Sequence, residues 1–184
     1  MKQTTKDIII LLDTSGSMNG IPIFETEKAI NMFSDYVRSI DGKKYRCCVL
    51  GFNDNVYIIR DFNEFGNYDA IHLSAYGGTN LESALKAAND MICANQKNNK
   101  QANSTPVIII ISDGYGSNPS SVRGFVNELN KEYGLYFLSI TGSKNTITND
   151  CPNIKEFYGT ESSCSQKMLM YMINLAESEK AIAA

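Results

Sequence analysis

The sequence predicts an α/β fold: a doubly wound, mostly parallel sheet with helices on both faces. Three observations carry that expectation. Two runs, Asp7–Leu12 (DIIILL) and Val107–Ile111 (VIIII), are almost wholly aliphatic, as strands covered on both faces must be. Segments with a helical apolar stripe alternate with strand-like segments along the chain. Each aliphatic run also ends at an aspartate among small loop residues, DTSGS after the first and SDGYGS after the second.

Taken in order, Asp7–Leu12 is the first strand. Glu25–Ile40 reads as a helix with Ala29, Ile30, Phe33, Tyr36, Val37 and Ile40 on one face. Tyr45–Phe52 and Val56–Arg60 are strands, and the short Asn53-Asp54-Asn55 turn between them suits an antiparallel hairpin. Gly77 and Gly78 make a flexible turn before a helix whose face carries Leu81, Leu85, Ala88 and Ile92. A polar loop, Asn95–Thr105, leads into the second aliphatic strand. A helix over Ser120–Tyr133, a strand over Leu135–Thr141 and a weaker strand near Phe157–Tyr158 follow. The last helix starts near Ser165, with Met168, Leu169, Met172, Ile173 and Leu175 facing inward. The methionines of that stripe, Met168 and Met172, fill core space. With no internal repeat or linker, residues 1–184 read as one domain.

Composition narrows the function. A chain of 184 residues with 43% hydrophobic and 20% charged residues is an ordinary globular one. Its net charge of −3 and lack of a basic run argue against nucleic acid as a partner. No segment approaches bilayer length. The apolar run after the N-terminus is too short for a signal peptide and runs straight into Asp13, with no small-residue cleavage site. Five cysteines without C-x-x-C spacing are expected as free thiols in a reducing cytosol, a Cys151–Cys164 bridge being the alternative. Cys47 and Cys48 should point to opposite faces of their strand.

In an open α/β sheet, ligands bind beyond the carboxyl ends of the strands, where strand order reverses. If the two aliphatic strands are neighbours there, Asp13 and Asp113 face each other across a crevice. The Gly77-Gly78-Thr79 loop can reach the same place. The inventory is then Asp13, Ser15, Ser17, Thr79 and Asp113: two carboxylates and three hydroxyls, with no His or Cys. Hard oxygen donors of this kind suit Mg²⁺ or Mn²⁺. A divalent ion also relieves the repulsion between the two carboxylates. Each residue has a plainer role open to it. Either aspartate can be a turn former, Ser15 and Ser17 can be ordinary loop hydroxyls, and Thr79-x-x-Glu82 fits a helix capping box.

Asp13-Thr14-Ser15-Gly16-Ser17 matches the D-x-S-x-S signature of the von Willebrand factor A domain family. Gly77-Gly78-Thr79-Asn80 resembles that family's threonine motif, and Ser112-Asp113-Gly114 its second aspartate motif. The resemblance runs from Asp7 to about Ala176. It implies a Rossmann-like domain with one antiparallel edge strand, here Val56–Arg60, and a metal-ion-dependent adhesion site at the top of the sheet. It further implies that Ser15 and Ser17 bind the metal directly, Thr79 directly or through water, and the aspartates often through water. A partner protein's Asp or Glu would fill the open position. The stretch from Leu11 to Phe33 looks most like bacterial stand-alone members of the tellurium-resistance TerY type, although GYGSNPSS after Asp113 departs from their pattern.

The expected function is therefore a metal-dependent protein-binding module and not an enzyme. The alternative is a Mg²⁺-dependent phosphohydrolase with Asp13 as nucleophile. That chemistry wants a second acid at position 15, where the chain has Ser15, and the loops around Asp13 and Asp113 contain no lysine to steady a phosphoryl group. His72, the only histidine, follows no catalytic pattern. The loops Met18–Ile23 and Tyr115–Pro119 are the expected source of partner selectivity.

Overall fold

The computed structural model of the chain describes residues 6–40, 45–62, 69–98, 105–114, 119–140, 153–159 and 163–178. The strands are β1 (Lys6–Asp13), β2 (Tyr45–Phe52), β3 (Val56–Arg60), β4 (Val107–Ser112), β5 (Gly134–Ser139) and β6 (Ile154–Glu156). The helices are α1 (Ile21–Ser39), α2 (Leu81–Asn98), α3 (Pro119–Glu132) and α4 (Cys164–Glu177), with a short 3-10 turn at Gly16–Met18. Among the described residues the strands form one sheet in the order β3-β2-β1-β4-β5-β6. Every pairing is parallel except β2 with β3, so Val56–Arg60 is the antiparallel edge strand the sequence led us to expect.

β1 and β4 lie side by side in the middle, Leu12 opposite Ile111. Chain order runs outward from this pair in both directions, which makes the gap beyond their carboxyl ends the switch point. Side chains alternate between two separate cores. Ile8, Ile10, Leu12, Ile109 and Ile111 pack with α1 and α4, whereas Ile9, Leu11, Ile108 and Ile110 pack with α2 and α3. Cys47 joins the first core and Cys48 the second, as the strand period requires.

Several boundaries differ from the sequence reading. α1 begins at Ile21, four residues early, because Gly20 takes a positive φ of 91° and Pro22 sits in the first turn, where its missing N–H costs nothing. α2 runs on to Asn98, and Asn95, expected in a loop, is a helical residue whose Nδ2 donates to Asp7 Oδ2 at 3.0 Å. β6 lies three residues before its expected place. Phe157 still donates its N–H to Ser139 O at 2.7 Å, just beyond the strand end. Met168, Met172 and Leu175 are buried as expected, while Leu169 and Ile173 pack at the margin. Cys151 lies outside the described residues, and buried Cys164 has its Sγ 3.9 Å from Met168 Sδ. No helix among the described residues is long and apolar enough to cross a membrane.

Candidate functional site

Asp13, the last residue of β1, is fully buried, and Asp113, just past β4, is 1% exposed. The adjacency of the two strands thus brings both carboxylates to the switch point. Asp13 Oδ1 accepts the Ser15 N–H at 2.8 Å, and its Oδ2 accepts a short hydrogen bond from the Ser112 hydroxyl. Ser112 Oγ in turn accepts the Gly114 N–H at 2.9 Å. One serine hydroxyl therefore ties the two aspartate loops together. The sequence reading placed Ser112 only inside the second motif and gave it no role.

Ser15 is buried and Ser17 exposed, with their hydroxyl oxygens 3.1 Å apart on the 3-10 turn. The glycine loop reaches this turn through backbone contacts. Gly16 donates to Gly77 O at 3.0 Å, and Tyr76 donates to Thr14 O at 2.9 Å. A Cβ at Gly16 would stand 3.3 Å from the Gly77 oxygen, so the close approach of the two loops depends on this glycine. Gly77 itself has a φ of 74°.

Thr79, next in that loop, is half-buried and does not cap α2. The cap is Asn80, whose Oδ1 accepts the Ser83 N–H at 3.1 Å, while its own N–H donates to Asn53 O at 2.8 Å. The capping box read at Thr79 is thus displaced by one residue, because the β2–β3 turn holds Asn80 in the cap position.

The approach to the glycine loop is strapped to α1. Asn31 Nδ2 donates to Ile71 O at 2.9 Å and its Oδ1 accepts the Ile71 N–H at 2.8 Å. Glu27 Oε2 accepts the Leu73 N–H at 2.7 Å. Asn31 and Glu27 lie four residues apart, one turn along the helix. Nothing in the sequence marked them, since both read as ordinary solvent-facing positions. His72 is exposed, with Nδ1 3.7 Å from Glu27 Oε1.

Burial pushes the Asp13 carboxyl from an ordinary 3.8 up to about 6. Hydrogen bonds from Ser112 and Ser15 pull it down again, and the negative charge of Asp113 adds to the rise. Two acids desolvated at one place, among hydroxyl oxygens, fit a hard divalent cation. Among the described residues no trio of His, Cys, Asp or Glu is placed to hold a metal, so hydroxyl oxygens would have to complete any set built on the two acids.

Exposed apolar side chains lie close in sequence to both the serine loop and the glycine loop. Ile21 and Phe24 are 53% and 60% exposed on the first turn of α1, and Tyr76 is 60% exposed on the glycine-loop side. Met18, expected to face a partner, is instead fully buried in the α1 core, and residues 21–23 belong to the helix. Tyr115 and the loop through residue 118 lie outside the described residues.

Fold and crevice together define an open-sheet α/β domain with an oxygen-rich site at its switch point. The chain belongs to the von Willebrand factor type A domain family, whose model matches residues 7–173. Human inter-alpha-trypsin inhibitor heavy chain H4 is 27% identical over 150 residues, which cover 72% of this chain and 15% of that protein. The chain thus spans about 15% of the length of the curated relatives it matches. Among solved structures, the pilus adhesin SpaC from Lactobacillus rhamnosus GG in an open conformation superposes with a TM-score of 0.72. It is 14% identical, over 96% of this chain and 30% of SpaC. The manganese-loaded TRAP protein of Plasmodium vivax gives a TM-score of 0.63 at 17% identity, over 92% of this chain and 75% of that one. At these identities the structural likeness concerns the fold. Von Willebrand factor type A domains are in general interaction modules, often metal-dependent.

Proposed function

We propose that this chain is a metal-ion-dependent protein-binding module. Asp13, Ser15, Ser17, Thr79 and Asp113 hold Mg²⁺ or Mn²⁺, and a partner protein supplies an Asp or Glu to the ion. The observation that carries the reading is the pair of buried carboxylates at the switch point, with Asp13 pushed up to about 6. A metal supplies the positive charge that this pair calls for and, where it keeps an exchangeable position, a seat for an incoming carboxylate. Ser112 holds Asp13 in place, and the Gly16–Gly77 contact holds the threonine loop beside the serines. Ile21, Phe24 and Tyr76 offer the apolar contact that one carboxylate cannot provide, which is where selectivity would arise. The unbridged thiols of Cys47 and Cys48 accord with a cytosolic location.

Two expected results follow from this chemistry. Binding of a captured partner disappears in EDTA, returns with Mg²⁺, and is lost on changing one partner acid to its amide. Binding that survives both EDTA and Asp113→Ala would overturn the mechanism. Metal affinity also falls with pH, because the ion competes with the proton on Asp13. At pH 5 most of that carboxyl is protonated in the metal-free domain, so Mn²⁺ should bind about tenfold more weakly than at pH 7.5. Calorimetric titration at the two values checks this, and equal affinities would remove Asp13 from the ligand set. The raised value also means that the metal-free fold loses stability as pH climbs from about 3.8 through about 6.

A further inference from the structure

Tyr57 lies on the edge strand β3, opposite Gly51 of β2. A Cβ on Gly51 would stand 2.6 Å from Tyr57 Cε2 and 2.7 Å from its hydroxyl oxygen. The phenol therefore occupies the space a side chain at residue 51 would need, and only glycine lets it cross β2. Beyond that strand its hydroxyl donates to Thr14 Oγ1 at 3.0 Å, and Thr14 Oγ1 donates to Phe52 O, also at 3.0 Å. The Thr14 N–H meets the same Phe52 carbonyl at 2.8 Å. Thr14 is fully buried and stands between Asp13 and Ser15. The hairpin touches the second loop as well, through Asn53 O on Asn80 N and an Asp54 carboxylate lying against Gly77 and Gly78.

We propose that Tyr57 is a positioning residue for the metal crevice: its hydroxyl, acting through Thr14, fixes the loop that carries Asp13, Ser15 and Ser17. The proposal rests on the metal-binding reading above. Mg²⁺ and Mn²⁺ sites of this kind tolerate little departure from octahedral geometry. A rotation at Thr14 would swing the Asp13 carboxylate and the Ser15 hydroxyl relative to one another. Three bonds converge on Thr14 from the hairpin, and the one from Tyr57 links it to the sheet edge.

The test measures Mn²⁺ dissociation constants by calorimetry, well below every variant's melting temperature, alongside melting temperatures in EDTA. Tyr57→Phe should weaken Mn²⁺ binding about fivefold to tenfold, the scale of one lost buried hydrogen bond. Thr14→Val should match or exceed that loss, and Thr14→Ser, which keeps the hydroxyl, should retain wild-type affinity. The Tyr57→Phe/Thr14→Val double variant should bind no more weakly than Thr14→Val alone, because both changes break one linkage. Wild-type Mn²⁺ affinity in Tyr57→Phe, with or without a lower melting temperature, would overturn the positioning role and leave the metal reading intact. A wild-type chain that takes up no Mn²⁺ would overturn both.

Discussion

Saturating Mg²⁺ or Mn²⁺ raises the melting temperature of the wild-type chain, and Asp13→Ala removes the rise. A ligand at 100 times its dissociation constant, bound only to the native state, adds about 2.7 kcal/mol. In a domain of this size that amounts to roughly 5–10 °C. Asp13→Asn sharpens the result, because metal-free stability should move the other way. The amide keeps an acceptor for the Ser15 N–H and can still pair with the Ser112 hydroxyl, while the desolvated charge is gone. At pH 8 in EDTA, Asp13→Asn should melt no lower than wild type, yet show no response to the metal. Scanning calorimetry with and without the ion checks both halves. A wild-type melt indifferent to millimolar divalent ions would remove the metal from the site.

Arg46→Ala should cost about 3 kcal/mol, the penalty for stranding a buried acid. Arg46 Nε and Nη2 donate to the two oxygens of Asp7 at 2.8 and 2.9 Å, and Asp7 is only 1% exposed. Burial raises the Asp7 carboxyl above its ordinary range even with Arg46 and Asn95 pulling it down, so losing the guanidinium raises it further. The sign of the pH dependence follows. A carboxyl raised in the folded state costs stability above its unfolded value, and the cost shrinks as pH falls and the group protonates. The deficit of Arg46→Ala measured by urea unfolding should therefore be smaller at pH 5 than at pH 7. An equal deficit at both would assign the loss to the packing of the arginine stem.

The parts of this fold that the sequence made legible are those where one physical demand acts alone. β1 and β4 are buried on both faces, so their composition announces them, and the aspartates at their ends announce the switch point. Where two demands compete over one or two residues, the pattern gave less. Thr79-x-x-Glu82 and Asn80-x-x-Ser83 both fit a helix start, and a hydrogen bond from Asn80 to the distant Asn53 carbonyl decides between them. β6 spans three residues, too few for any periodicity to register. The supports of the site were least visible. Ser112, Asn31, Glu27 and Tyr57 act across 99, 40, 46 and 43 residues of chain respectively, and such links leave no local trace. Pro22 was the exception, a readable signal for the early start of α1 that apolar periodicity alone passed over.

The uniform greasiness of β1 leaves the chain with an alignment problem. Ile8 through Leu12 would satisfy either core equally well, so a slip of one residue between β1 and its neighbours would exchange the two faces at little cost in buried area. Hydrophobicity cannot index such a strand. The polar residues at its ends can, since Asp7 meets Arg46 directly opposite it on β2 and Asp13 meets Ser112 at the end of β4. These pairs work like the pegs at either end of a slide rule, each closing only when the scale between them is correctly set. On this view the carboxylate at the crevice also keeps β1 in step with β4, and a chain that lost it would keep only the pegs that tie β1 to β2, Asp7 at one end and Thr14 at the other.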